Sequence, residues 1–389
     1  MIRTVILGQG MVANYFAVGL ERIKSGEIPS YGVPLANFKL KKNIEDIEII
    51  ASYDVDIDKI GKTVYDVAKK SIGDVSPIPL KLKDIEILKG VNLQSTKGLP
   101  INTTGLDEKM TLNECINELV DQWKSMKIDV IINIITTESA ESFKNISELE
   151  ESIARNDRHR LTASQIYAYA LTKYKEEVER SAAFIHCTPT PIANDEVIVK
   201  LYEEKGLVLF GDDGATGATP LTADLLEHMA TRNRKVEYIV QFNIAGNTDF
   251  LALTSHDRNI MKEITKSSMI KDVLGYDVPH YIKPTGYLEP LGDRKWVSMH
   301  MEYYTFNNLK DEIYINIRIN DSPALAGLLV DLTRLGSICI DKGFKGTIYP
   351  VNSFYMKRPG PPGSKSISKI IAFQKLKEWL ISINELEDE

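Results

Sequence analysis

Apolar positions along this chain fall into two patterns that occupy different parts of the sequence. In the first part they form short unbroken runs, Arg3–Leu7, Ile47–Tyr53, Ile128–Ile135, Ala182–His186 and Val208–Phe210, which read as buried strands. Helical patterns run from the first of these through Leu20, over Leu161–Tyr174 and over Leu221–Met229. Val236–Ile244 is again strand-like, dominated by β-branched and aromatic residues. Beyond it, Lys295–Phe306 and Asp311–Ile319 alternate large apolar with small or polar residues. Alternation means one covered face, so these two stretches predict a mostly antiparallel sheet separate from the first. An apolar helix over Ser322–Lys342 follows, then short apolar pieces at Lys345–Tyr349 and Phe354–Met356, a turn at Pro359–Pro362 and an amphipathic helix over Ile367–Ile383. Residues 61–127 carry no clear period, and Lys24–Asn43, polar and Pro-containing, reads as an insertion (around 24–46).

The predicted fold class is therefore α/β: a Rossmann-like doubly wound parallel sheet plus a second α+β domain with a mostly antiparallel sheet. Residues 1–230 are expected to form the first domain, 231–350 the second, and 351–389 a segment returning to the first. A chain of 389 residues is too long for one compact core, which agrees with two domains. The net charge of -7 argues against nucleic acid as a partner, since phosphate backbones call for a basic footprint. No run approaches ~18 consecutive apolar residues, so no membrane span is expected. The N-terminus reads as a strand and not as a signal peptide. Cys115, Cys187 and Cys339 lie far apart with no ligand spacing. Together these features point to the reducing cytoplasm.

Candidate chemistry begins at the first turn. Gly8-Gln9-Gly10-Met11-Val12-Ala13 follows a strand and opens a helix, the arrangement of a dinucleotide-binding turn. Gly8 permits the tight turn, Gly10 lets a pyrophosphate approach, and Ala13 lets helix and strand pack closely. Asp54 ends the second strand, where an acid normally binds the adenosine ribose, although it comes ~40 residues after the glycines and not the usual ~20. Thr136 and Thr137, at the end of the next buried strand, are expected to border the cofactor crevice. A second Gly-rich loop, Gly211–Pro220, also feeds a helix, with Thr219 as its expected N-cap and Pro220 at the first helical position. Two such cradles in one chain suggest two phosphorylated ligands. Asn247 and Asp249 then sit in a turn after Gly246, and Lys262 and Lys266, four apart, share a helix face.

These motifs, in this order, resemble the inositol-1-phosphate synthase family. The resemblance runs through the Gly-rich first turn, CTPTPIAND at Cys187–Asp195, GDDGATGATP at Gly211–Pro220, NIAGNTD at Asn243–Asp249, GDRKW at Gly292–Trp296, NDSPALAG at Asn320–Gly327 and FYMKRP at Phe354–Pro359. It implies NAD as cofactor, glucose 6-phosphate as substrate and a homotetramer paired through the second sheet. It implies Lys262, Lys266, Lys295, Lys357, Asp213, Asp249, Asp321 and Asn247 as active-site residues, with Asp213 also beside the nicotinamide. Thr216, Gly217, Ala218 and Thr219 would hold the substrate phosphate, and the Thr188–Pro191 loop would lie near the nicotinamide. Ala215 departs from the lysine that many relatives carry there. Family members differ in requiring a divalent cation, ammonium or potassium, and this sequence does not specify which; Asp213 and Asp249 are the candidate metal-adjacent carboxylates.

The implied reaction converts glucose 6-phosphate to an inositol phosphate through C5 oxidation, loss of a C6 proton, aldol closure of C6 onto C1 and reduction of the C5 ketone. Its intermediates carry negative charge on oxygen beside an anionic phosphate, which explains a cluster of ammonium groups. Of the six histidines none has zinc-ligand spacing, and only His256 adjoins the central motif. Two other readings stay open. One is a net NAD-dependent dehydrogenase of another sugar phosphate or amino-acid precursor, as in the homoserine dehydrogenase class. The other is a non-catalytic NAD- or sugar-phosphate-binding regulator, which would need no lysine cluster.

Overall fold

A computed structural model describes residues 1–93, 95–252 and 269–387. Its larger sheet is built from β1 (Ile2–Leu7), β2 (Ile47–Asp54), β3 (Ile87–Lys89), β4 (Val130–Asn133), β5 (Ala183–His186), β6 (Val208–Phe210) and, far along the chain, β11 (Gly346–Thr347). The order is β11-β6-β5-β4-β1-β2-β3, and every pairing in it is parallel. Because β2 and β4 flank β1 on opposite sides, the strand order reverses at β1 and leaves a crevice at the carboxyl ends of β1 and β4. The sheet is buried on both faces, so its strands are apolar throughout: β4 and β5 have every residue buried.

Helices cover both faces. On one lie α1 (Met11–Lys24) and α2 (Val64–Ile72), and on the other α3 (Leu112–Met126), α4 (Ile146–Ala154), α5 (Ala163–Val178) and α6 (Glu196–Lys205). Three of them start on reciprocal caps: Thr63 with Asp66, Thr111 with Glu114, and Thr162 with Gln165. The next helix, α7 (Thr219–Thr231), leads from the second Gly-rich loop into the smaller sheet.

That sheet has the order β10-β9-β7-β8, with β7 (Lys235–Ala245), β8 (His280–Tyr287), β9 (Arg294–Tyr304) and β10 (Lys310–Asn320). The β10–β9 and β9–β7 pairs are antiparallel and β7–β8 is parallel. The mostly antiparallel sheet expected from alternation is thus present, and β9 alternates buried and half-buried along its length. Its inner face packs on α7 and on helical residues 269–274. Between the strands lies α8 (Thr248–Ala252).

From β10 the chain enters α9 (Asp321–Asp341), a 21-residue helix apolar enough and long enough to cross a membrane. Here it is a core helix: Leu329, Leu332, Leu335 and Cys339 are wholly buried against the larger sheet. Gly336 is needed for that approach, since a Cβ there would stand 3.0 Å from Ala183 Cβ. The insertion before β2 is fastened to the same helix. Asp331 accepts the Leu35 N–H at 2.8 Å and the Tyr355 hydroxyl at 2.9 Å, and also pairs with Arg334. The chain closes with α10 (Tyr349–Tyr355) and α11 (Lys369–Ser382), which pack on each other beside α7 and α9.

Candidate functional site

A continuous cleft of about 860 Å³ runs from the Gly8–Gly10 turn to Lys295, between the carboxyl ends of the parallel strands and the first turn of α9. Such a volume suits a dinucleotide end and a small substrate together. At its first end Gly8 has φ +96°, and a Cβ there would stand 3.0 Å from the Ile135 backbone. Gly10, by contrast, has no neighbour among the described residues within 4 Å of a Cβ position, so space faces the start of α1. The first turn of α1 carries no acid, and Gly10 makes no side-chain cap, leaving the positive end of a 14-residue helix directed at that space. A pyrophosphate fits this cradle by size and by charge.

The neighbouring groups are more constrained than the sequence pattern suggests. Gln9 is wholly buried; its amide accepts from Ser52 Oγ at 2.7 Å and donates to Asn14 at 2.6 Å, locking the turn to β2 and α1. Asp54 is already bonded by four donors. Oδ2 accepts the Gln9 N–H at 2.9 Å and Lys59 Nζ at 3.0 Å, and Oδ1 accepts the N–H groups of Val55 and Asp56. Any further hydrogen-bond donor reaching Asp54 would compete with Lys59, the one movable donor. Met11, Val12 and Thr136 line the cleft, whereas Thr137 is buried and not in its lining, its hydroxyl having no hydrogen-bond partner among the described residues.

At the other end Asp213, Lys357, Lys295, Asp321, Asn247 and Thr216 line one wall. Lys357, just beyond α10, donates from Nζ to Asp213 Oδ1 at 2.7 Å, and its N–H donates to the Asp213 carbonyl at 2.8 Å. Lys295, on β9, lies with Nζ 3.6 Å from Asp321 Oδ2 and 5.1 Å from the Phe250 ring centre. The loop before α7 closes over this pair: a Cβ on Gly217 would stand 3.1 Å from Lys295 Nζ. Helix α7 begins at Thr219 with Ala218 as cap and Pro220 in its first turn, one residue earlier than expected. Ala218 and Thr219 are buried at that start, and only Thr216 of the four reaches the cleft wall directly.

Beneath this wall lie groups that positional patterns did not single out. Asp293 accepts from Asn247 Nδ2 at 3.0 Å, from the Ser322 hydroxyl at 2.7 Å and from the Ser322 N–H at 2.9 Å. Burial pushes its carboxyl above the usual range, the Ser322 and Asn247 bonds oppose that, and the nearby Asp321 charge adds to it. Asp293 thus ties the β7 end, the β9 start and the α9 start into one unit. In sequence it is the acid of GDRKW, two residues before Lys295. Asp212 plays the same part below the Thr-Pro loop, accepting the N–H groups of Ile192, Ala193 and Asn194 and the Asn194 side chain. Buried His186 beside it is held neutral by burial; Nε2 faces the Thr190 carbonyl at 2.8 Å, which assigns the proton to Nε2.

Lys262, Lys266 and His256 lie outside the described residues, as does the Asp249 side chain. Among the described residues no group of three or more His, Cys, Asp or Glu side chains could hold a metal ion. All three cysteines are buried free thiols, with Cys187 lining the cleft.

Comparison with known proteins points to one family. The family model for myo-inositol-1-phosphate synthase matches residues 217–322, which span the α7 loop to the start of α9. The inositol-3-phosphate synthase of Corynebacterium glutamicum is 26% identical over 398 residues, covering 98% of this chain and 98% of the relative. The crystal structure of inositol-3-phosphate synthase from Caenorhabditis elegans, 17% identical, shares the fold with a TM-score of 0.82 over 100% of this chain and 86% of that one. The crystal structure of a myo-inositol-1-phosphate synthase-related protein from Thermotoga maritima MSB8 matches at 52% identity and a TM-score of 0.93, covering 100% of both chains. Matched end to end at that identity, the chain belongs to the inositol-1-phosphate synthase family.

Proposed function

We propose that the protein is an NAD-dependent, redox-neutral isomerase that converts glucose 6-phosphate to 1D-myo-inositol 3-phosphate. The observation that carries this reading is the cleft that joins a dinucleotide cradle to two lysine–aspartate pairs, both of whose lysines are buried. A net dehydrogenase needs the cradle but not a wall of ammonium groups.

When bound, NAD supplies the oxidant at C5 and returns the same hydride to the C5 ketone. The chain's own residues do the rest. Gly10 and the start of α1 would hold the pyrophosphate, and Asp54 would take the ribose hydroxyls in exchange for its Lys59 contact. The Thr216–Thr219 loop receives the substrate phosphate, with the N-terminus of α7 and Lys295 as its positive partners. Lys357 and Lys295 stabilise the oxyanions at C5 and C1, and Lys262 and Lys266 are assigned to the same sugar from the sequence motif. Asp213 and Asp321 fix each ammonium at a defined point and limit the net charge of the wall. Asn247, held by Asp293, orients a sugar hydroxyl. Tetramer formation through the smaller sheet is in keeping with its outer face, where Phe242, Tyr281 and Tyr314 are exposed. Free buried thiols accord with a reducing cytoplasm.

Incubation with glucose 6-phosphate and substoichiometric NAD tests the reaction directly. Inositol phosphate identified by NMR, with no net accumulation of NADH, is the expected result. Stoichiometric NADH, or no turnover of glucose 6-phosphate, would sink the reading.

A further inference from the structure

Lys369 is the first residue of α11 and is buried, with only 7% of its surface exposed. A lysine in the first turn opposes the helix dipole, and a lysine almost never lies this deep unless its nitrogen is used. Here it is used twice. Nζ donates to the Ser353 carbonyl at 2.6 Å and to the Met356 carbonyl at 2.7 Å, at the C-terminal end of α10. The peptide so gripped is the one that precedes Lys357.

The other edge of that same short segment pairs with the loop carrying Asp213. The Lys357 N–H donates to the Asp213 carbonyl at 2.8 Å, and the Ala215 N–H donates to the Tyr355 carbonyl at 2.8 Å. Residues 355–357 are therefore held from two sides, by the Asp213–Ala215 loop and by Lys369. Lys369 is itself anchored, because its N–H and that of Ile370 both donate to Asp224 Oδ1, on α7. Asp224 lies two turns or less from the loop that closes over Lys295, so one carboxylate links the phosphate-loop helix to the support of Lys357.

We propose that Lys369 is a positioning residue for the reaction, acting through the Met356–Lys357 peptide to hold the Lys357 ammonium against Asp213 and the cleft. The proposal rests on the reading of Lys357 as a group that acts on the substrate. Two carbonyl acceptors match the two N–H groups of a neutral amine, and burial pushes this lysine down to about 7, with Asp224 opposing and Lys357 adding to the shift. Burial thus weakens the charge on Lys369, and with it the repulsion toward the Lys357 side chain that it serves. Lys369 touches neither cradle, so ligand affinity is not its business.

A double-mutant cycle tests this. Lys369→Met keeps the stem's bulk and removes both donors. It should lower kcat by at least about tenfold, as a small misplacement of a reacting group does, while KM for glucose 6-phosphate and NAD affinity stay within twofold. In a Lys357→Met background the same change should have no further effect on residual turnover, since Lys369 then has nothing to position. A folded Lys369→Met variant with kcat within twofold of wild type overturns the proposal. So does an equal loss of turnover in both backgrounds, which would mark a general structural role. If Lys357→Met alone keeps near wild-type turnover, the reading of Lys357 fails and takes this proposal with it. Should Lys369→Met not fold, Asp224→Ala releases the backbone anchor with the lysine intact. It should lower kcat severalfold at unchanged KM, and only with Lys357 present; unchanged kcat in that folded variant overturns the proposal.

Discussion

Lys357 and Asp213 stand 144 residues apart in sequence and 2.7 Å apart in space, both nearly buried, at 6% and 5% side-chain exposure. Removing one partner deprives the other of this close ion pair in a low-dielectric wall. The full cost of that in a dry site is about 3–5 kcal/mol, less where a cleft admits water. Lys357→Met should therefore lose stability in urea denaturation as well as ~10²–10³ in turnover. Lys357→Met combined with Asp213→Asn should recover part of the stability and none of the turnover. Full additivity of the two stability losses would mean that the pair is not coupled in solution.

The two glycines of the first turn should separate folding from binding. Gly8→Ala puts a side chain on a residue with φ +96° and 3.0 Å from backbone atoms that cannot yield, so it should unfold at distinctly lower temperature. Gly10→Val fills space that is open in the structure. It should melt as wild type does and bind no NAD by calorimetry. A Gly10→Val variant that binds NAD normally would remove the pyrophosphate from this position.

Lys59 shields the carboxylate that would reject a 2′-phosphate. Lys59→Met leaves Asp54 with three backbone donors and no countercharge. Since the ion pair is partly exposed, the effect is small, on the order of two- to fivefold. Preference for NAD over NADP, measured as a ratio of dissociation constants, should rise by that factor. A fall in the ratio would place the adenosine ribose away from Asp54.

Burial pushes the Lys369 ammonium down to about 7, from the ordinary lysine value of 10.5. Between those two values the unfolded chain binds a proton that the folded chain does not, so this group makes stability rise with pH over that window. Below about pH 7 both states are protonated and its contribution is flat. The slope is at most about 1.4 kcal/mol per pH unit. Lys369→Met removes the slope, so the stability of wild type relative to the variant should grow from pH 7 to pH 9. A difference that is constant across that range would mean that Lys369 stays charged in the fold.

How much of this was legible in the sequence depends on the range of the cause. β9 and β10 could be read because alternation is written into each strand locally. β8 escaped because it is an edge strand carrying Pro284 and Thr285, with parallel pairing to β7 only. Residues 61–127 looked patternless, yet the Thr63–Asp66 and Thr111–Glu114 capping boxes were there to mark α2 and α3. Residues 321–350 were expected with the second domain, being adjacent to β10 in sequence. In the structure α9 and β11 belong to the larger sheet, because an all-round apolar helix finds its cover there. Lys295 and Lys357, which line the cleft, were legible through motifs. Asp293 and Lys369 were not, since what sets them apart is burial among segments remote in sequence.

The last test concerns the loop that closes over Lys295. Gly217 has φ +69°, and a Cβ there would press on Lys295 Nζ at 3.1 Å and reach Asp321 Oδ1 at 3.5 Å. Gly206, at the end of α6, has φ +70° and nothing within 4 Å of its Cβ position. Alanine at either site meets the same backbone strain, on the order of 1 kcal/mol. Only at Gly217 does it also displace an ammonium, which is the flexible end of its side chain and gives way by a few tenths of an ångström. The two variants should therefore lose similar stability, while Gly217→Ala alone raises KM for glucose 6-phosphate and leaves NAD affinity unchanged. If Gly206→Ala impairs turnover equally, the loss comes from strain and not from the loop. If Gly217→Ala weakens NAD and spares the substrate, the two phosphate cradles have been assigned the wrong way round.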